Sequence, residues 1–121
     1  MEQIHIFYSW QSDLDKKANS YFIRDALQIA IQDLNGDPAT DLELRLDSDT
    51  RGKSGSPSID VTIFDKIDSC NIFVADISTI NSTTGERRKC PNPNVLLELG
   101  YAAHRLGWER ILCIFNLATR H

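Results

Sequence analysis

Asn71-Ile72-Phe73-Val74-Ala75-Asp76-Ile77 is a nearly unbroken apolar run that carries a single carboxylate toward its end. A short run of that kind, without polar alternation, fits a strand buried on both faces, as inner strands of parallel sheets are. Upstream, Pro57 is placed to open a helix carrying Ile59, Ile63, Phe64 and Ile67. Before it lie a Gly/Ser loop and the alternating Leu42, Leu44 and Leu46, read as a strand near a sheet edge. Asn35-Gly36-Asp37-Pro38 is a turn that ends a helix predicted from about Leu14 to Leu34, with Phe22, Ala26, Ile29 and Ala30 on one face. Gln3 to Tyr8 is the first strand. Downstream, a loop from Ser78 to Pro91 leads to a helix capped by Asn92, opened by Pro93 and ended at Gly107. Ile111 to Phe115 is a fourth strand, and Asn116 to His121 reads as a short tail. Strands alternating with amphipathic helices predict one α/β domain over residues 1–121, built on a parallel sheet.

Composition narrows the functional classes. The 121 residues are 41% hydrophobic and 25% charged, with a formal net charge of -4, which fits one ordinary core and no second domain. Arg87-Arg88-Lys89 is the one basic cluster, so neither nucleic acid nor a membrane surface is an expected partner. No stretch reaches the roughly 18 apolar residues of a span and the N-terminus has no signal-like apolar region, which points to the cytoplasm. Cys70, Cys90 and Cys113 have no metal-ligand spacing and read as idle thiols.

Chemistry is concentrated around Glu98, one carboxylate inside Val95-Leu96-Leu97-Glu98-Leu99 in the second turn of its helix. The leucines predict a largely buried helix, where a carboxylate is costly unless hydrogen-bonded, paired or protonated. A structural role, with Glu98 satisfied by a cap or by Arg51 or Arg105, is the plainer alternative to a catalytic one. Ligands of open parallel sheets bind beyond the carboxyl ends of the strands. There the order of elements places Ser9-Trp10-Gln11-Ser12-Asp13, Asp47-Ser48-Asp49-Thr50-Arg51-Gly52 and Asp76-Ile77-Ser78, with Glu98 over the same edge. Ser9, Trp10 and Asp13 suit a pocket wall, Trp10 serving either to stack on a base or nicotinamide ring or to anchor its loop. Asp47 and Arg51 shape the cleft, and Asp76 acts there or simply caps the loop it begins. Arg51-Gly52-Lys53-Ser54-Gly55-Ser56 has the composition of a phosphate cradle without the spacing of one. Arg87, Arg88 and Lys89 suit a pyrophosphate or a solvated charge run.

His5, His104 and His121 all fall outside these loops. A poor leaving group usually wants a general acid near neutral pKa, and histidine is the commonest. Nicotinamide leaves NAD+ as a neutral molecule and needs no proton, so a lone carboxylate that stabilises an oxocarbenium-like transition state suffices. The residues therefore suit glycosidic cleavage at an activated ribose.

Ile6-Phe7-Tyr8-Ser9-Trp10-Gln11-Ser12-Asp13, Phe73-Val74-Ala75-Asp76 and Asn94-Val95-Leu96-Leu97-Glu98-Leu99-Gly100-Tyr101 together resemble bacterial TIR-like domains of the predicted nucleotide-binding type (TIR, Toll/interleukin-1 receptor). The last stretch matches that family's N-V-x-x-E-L-G-Y helix start. The resemblance implies a flavodoxin-like three-layer fold with strand order 2-1-3-4-5 and NAD+ glycohydrolase activity giving nicotinamide and ADP-ribose or a cyclised form. NAD+ is then a substrate, and no cofactor or metal is implied. It also implies that Glu98 is the catalytic glutamate, and Asn94 of the same motif is counted with Ser9, Trp10, Asp13, Asp47, Arg51 and Asp76 among substrate-binding residues. Such domains act as effectors of antiphage defence, assembling through TIR surfaces when a linked or separate sensor switches them on. The family's pattern continues past the fourth strand with another helix and strand. A fragment of a longer effector, or a sheet finished by a partner, is therefore expected.

Three other functions fit parts of the pattern. Glu98-Leu99-Gly100-Tyr101-Ala102 is similar to the nucleophile setting of nucleoside N-glycosidases related to 2-deoxyribosyltransferases, where Glu98 attacks C1' and an acid such as Asp76 protonates the base. A non-catalytic TIR assembly module needs no chemistry at Glu98. A phosphoacceptor receiver domain needs an acidic pair after the first strand, where this chain has Tyr8-Ser9.

Overall fold

The computed structural model describes residues 2–47, 61–81 and 88–117. Four strands, β1 (Glu2–Ser9), β2 (Leu42–Asp47), β3 (Ile72–Asp76) and β4 (Ile111–Ile114), pair in parallel in the order β2-β1-β3-β4. Three helices, α1 (Ser20–Asn35), α2 (Val61–Ser69) and α3 (Pro93–Leu106), connect or follow them. The result is an α/β fold whose strand order is compatible with a flavodoxin-like sheet. Among the described residues no helix is long and apolar enough to cross a membrane.

Strand alternation divides the core in two. Phe7, Phe73 and Ala75 face α2 and α3, where they pack with Ile63, Ile67, Cys70, Val95, Ala102 and Leu106. Phe7 and Phe73 are parallel-stacked, with centroids 5.6 Å apart. Ile6, Tyr8 and Val74 face the other way, against Ile23 and Ile31 of α1. As the uninterrupted apolar run predicts, β3 has buried residues on both faces. β2 lies at the sheet edge, and its Leu44 and Leu46 pack only partly, on the α1 side.

Three expectations about the helices are corrected. α1 begins at Ser20 and not near Leu14, because local side-chain bonds take the backbone groups of the preceding loop. The Gln11 amide oxygen accepts from the N–H groups of Asp13 (2.7 Å) and Leu14 (3.2 Å). The inward stripe of α1 is Ser20, Ile23 and Ile31, with Leu27 partly buried beside them, so Phe22 (62% exposed) and Ile29 (61%) stand on the opposite face. In α3, Leu96 and Leu97 are likewise exposed, whereas Val95, Glu98, Ala102 and Leu106 form the buried stripe. The opening of α2 at Pro57 and the packing of Ile59 lie outside the described residues.

Helix ends follow their local chemistry. The Asn92 side chain accepts from the N–H groups of Asn94 (2.8 Å) and Val95 (3.4 Å), and Pro93 takes the position where a missing N–H costs nothing. Gly107 ends α3 at φ 86°, a conformation that a side chain would strain. The guanidinium of Arg110 donates to the carbonyls of Cys70 and Asn71, both at 2.8 Å, and so closes the α2–β3 corner. Across the outer surface, Tyr101 Oη and Arg105 Nε donate to Asp68, at 2.7 and 2.9 Å. The Tyr101 bond first, and the Arg105 bond and charge with it, hold the Asp68 carboxyl below the usual range.

Burial pushes the Cys70 thiol up to about 11. A folded-state value above the unfolded one contributes stability that is complete below about pH 8.5 and is lost as pH rises toward about 11. Chemical denaturation across that window is expected to show wild-type stability falling more steeply than that of Cys70→Ala, and Ellman's reagent should label Cys70 last of the three thiols.

Candidate active site around Glu98

Ser9 is the last residue of β1, and the pleat that sends Phe7 into the α2/α3 core sends Ser9 to the same side. Glu98 sits on α3 one turn after Val95 and one before Ala102, so helical periodicity aims it at the sheet. The two meet at the carboxyl end of the strands. Ser9 Oγ donates to Glu98 Oε1 at 2.7 Å, and both side chains are 0% exposed. A hydrogen bond to a charged acceptor contributes about 1.5–3 kcal/mol, against several kcal/mol for taking a carboxylate out of water. The Ser9 bond thus offsets part of the cost of burial and fixes one carboxylate oxygen in place. Arg105 is engaged by Asp68, 2.9 Å away, which removes it as the structural counter-ion considered for Glu98.

Asp76 occupies a different environment. Alternation along β3 puts it on the Ile72 and Val74 side, and its partners confirm this. Its Oδ2 accepts from Asn19 Nδ2 (2.6 Å) and Gln11 Nε2 (3.4 Å), and its Oδ1 from the Ser78 N–H (3.0 Å). Asn19 Oδ1 in turn accepts from Asn116 Nδ2 (3.0 Å), which also donates to the Ala18 carbonyl, while the Asn116 N–H donates to Ser78 Oγ. These bonds fasten the β1–α1 loop, the end of β3 and the segment after β4 to one carboxylate.

The rim of the site joins these two centres. Gln11 reaches from Asp76 to the N–H groups of Asp13 and Leu14, and the Asp13 carboxylate accepts from the Asn92 amide at the start of α3. Asp13 is exposed, and Asn94 is half-buried in the first turn of α3. Asp47, at the end of β2, pairs with Lys66 Nζ at 3.5 Å and borders a separate hollow with His5, Ser69 and Cys70. Trp10 packs with the α1-side core. Of the residues predicted to share one cleft, Ser9 is thus in contact with Glu98, Asp13 is bonded to Asn92 at the start of α3, and Asn94 is in the first turn of that helix. Trp10, Asp47 and Asp76 are directed elsewhere. Arg51, the cradle-like loop 51–56 and Arg87 lie outside the described residues. Lys89 Nζ donates to the Asn81 carbonyl, and Asn81 Nδ2 donates to the Arg88 carbonyl.

Sequence reasoning placed Gln11 and Ser78 in the edge loops without giving them a role, and passed over Asn19 and Asn116. Their signal is weak but present: each is a short-range hydrogen-bonding residue flanking a strand or helix end, where backbone groups need partners. Among the described residues no group of three or more His, Cys, Asp or Glu side chains is placed to hold a metal ion.

The chain matches no family model, no curated protein and no solved structure.

Asn92→Ala removes both the cap of α3 and its link to Asp13. The expected cost is about 1–2 kcal/mol, read as a lowered urea midpoint with unchanged slope. Asn92→Asp keeps the cap acceptor but sets two carboxylates together, so its deficit should shrink when pH is lowered through the carboxylate range.

Proposed function

We propose that this chain is a TIR-like NAD+ glycohydrolase with Glu98 as its essential carboxylate. The observation that supports this reading best is the buried Ser9–Glu98 pair at the carboxyl edge of a parallel sheet. A carboxylate set in a core stripe, bonded to the Ser9 hydroxyl and facing the edge where such sheets bind ligands, is a candidate reacting group.

In the proposed reaction the C1'–N1 bond of the nicotinamide ribose breaks and its electron pair goes to the pyridinium nitrogen, which leaves as neutral nicotinamide. The Glu98 carboxylate stabilises the positive charge that develops at C1' and the ring oxygen. Water then adds to C1' and releases a proton, giving ADP-ribose; attack by an adenine ring nitrogen gives the cyclised product. No general acid is called for, in keeping with the Asp76 carboxylate being committed to Asn19, Gln11 and Ser78. That commitment is also why the deoxyribosyltransferase-like route, which needs an acid for the departing base, is the weaker reading.

Glu98 is fully buried, so contact with a ribose requires the cleft to open. The Asp13–Asn92 hydrogen bond ties together the two segments that flank it. An enzyme of this kind is quiescent as an isolated protomer, which suits activation by self-association or by a sensor domain.

Incubation with NAD+ at high protein concentration, free and artificially clustered, is expected to release nicotinamide, followed by chromatography. Glu98→Gln should lower the rate at least 100-fold without loss of folding, and Ser9→Ala by about tenfold, the value of one hydrogen bond to a charged group. Release unaffected by Glu98→Gln would refute Glu98 as the essential carboxylate, and none from the clustered wild type would refute the hydrolase assignment and leave the non-catalytic assembly module.

A further inference from the structure

Tyr8, Ser9 and Trp10 leave the end of β1 on alternate sides. Ser9 goes to Glu98, while Tyr8 and Trp10 go to the α1 side. There they line, with Ser20, Tyr21 and Arg24, a small pocket open to solvent. Three of its five walls are aromatic. Tyr8 Oη donates to the Ser20 carbonyl at 3.3 Å, which holds the first turn of α1 against the strand. The Arg24 guanidinium lies over the Tyr21 ring at 4.7 Å and pairs with Asp25 at 3.2 Å.

The Ser20 hydroxyl carries the inference. Ser20 is 3% exposed, and its Oγ has no hydrogen-bond partner. A buried polar atom left in that state costs about 1–3 kcal/mol, and one that borders a pocket is satisfied by whatever enters it. The geometry points to a second binding site here, independent of Glu98, for the neutral heteroaromatic ring of a nucleobase. The ring's face meets Trp10 and Tyr21, and a ring nitrogen or exocyclic group at its edge meets the Ser20 hydroxyl. The pocket is small and open to solvent, which suits the face and edge of a single flat ring and not a whole dinucleotide. Arg24, with its charge already met by Asp25, supplies a flat stacking surface and not a phosphate clamp.

The test uses the full chain carrying Trp108→Phe, which leaves Trp10 as its one indole and changes an exposed residue. Adenosine and adenosine 5'-monophosphate are each expected to quench Trp10 fluorescence saturably, with affinities within about threefold of each other, while ribose 5-phosphate gives no change. Ser20→Ala should weaken adenosine about two- to tenfold while leaving the thermal midpoint equal or higher, because the substitution removes an unsatisfied hydroxyl. Tyr21→Ala, at a side chain 42% exposed, should weaken it about tenfold by calorimetry. Absence of saturable quenching by adenosine, quenching by ribose 5-phosphate, or affinities unchanged in both variants would each overturn the assignment. A Ser20→Ala protein that loses stability would show the hydroxyl to be structural and overturn it as well.

Discussion

A carboxylate at the end of an inner strand cannot be left without donors, and Asp76 meets that requirement by gathering chain from three directions. Asn19 comes from just before α1, Gln11 from just after β1, and the Ser78 N–H from the turn that follows β3. Through Asn19 the network also takes in Asn116, beyond β4. The loops at the carboxyl edge are therefore tied together by polar bonds, with Trp10 and Ile77 adding apolar packing just past the strand ends. Glu98 and Ser9 meet on a floor already set in place.

The two carboxylates at this edge show how burial alone fails to identify a reacting group. Both are 0% exposed. Asp76 has its oxygens taken by donors from the loops around it, as a group whose work is to hold them should. Glu98 lies on the other side of the sheet, on a helix that fills the rest of its inward stripe with Val95, Ala102 and Leu106. A valine or leucine in its place would pack there at no electrostatic cost. The contrast between a carboxylate that ties loops together and one that interrupts a core is what separates their proposed roles.

Much of the fold was readable from the chain because its strongest signals are local. The β3 run, the Asn92-Pro93 helix start, the Gly107 stop and the strand edge at Leu42, Leu44 and Leu46 each rest on a backbone rule that tertiary contacts do not override here. Apolar periodicity misled in two places. Phe22, Ala26, Ile29 and Ala30 make a good helical stripe, yet Ile23, Leu27 and Ile31 make another, and the sheet takes the second. Leu96 and Leu97 looked like core because they flank Glu98 in sequence, although neighbours in a helix point some 100° apart. The site was partly readable for the same reason: Ser9 and Glu98 are brought together by strand and helix periodicity. The partners of Trp10 and Asp76 depend on which side of the sheet each faces, which is fixed by pleat register, whereas Asp47 shares the side of Ser9 but lies on the edge strand, where Lys66 of α2 takes it.

The place of Glu98 in the buried stripe of α3 has a consequence for how this sequence can change over time. Each residue added or removed between Pro93 and Glu98 turns the carboxylate by about 100° about the helix axis, off the sheet and away from Ser9, and carries Ala102 and Leu106 round with it. Substitution within the same segment is far cheaper, since Leu96 and Leu97 already face outward. Drift in this stretch is thus free in letters and closed in length: related chains can differ at nearly every exposed position of the turn, but the count from the capping asparagine to the glutamate has to stay the same.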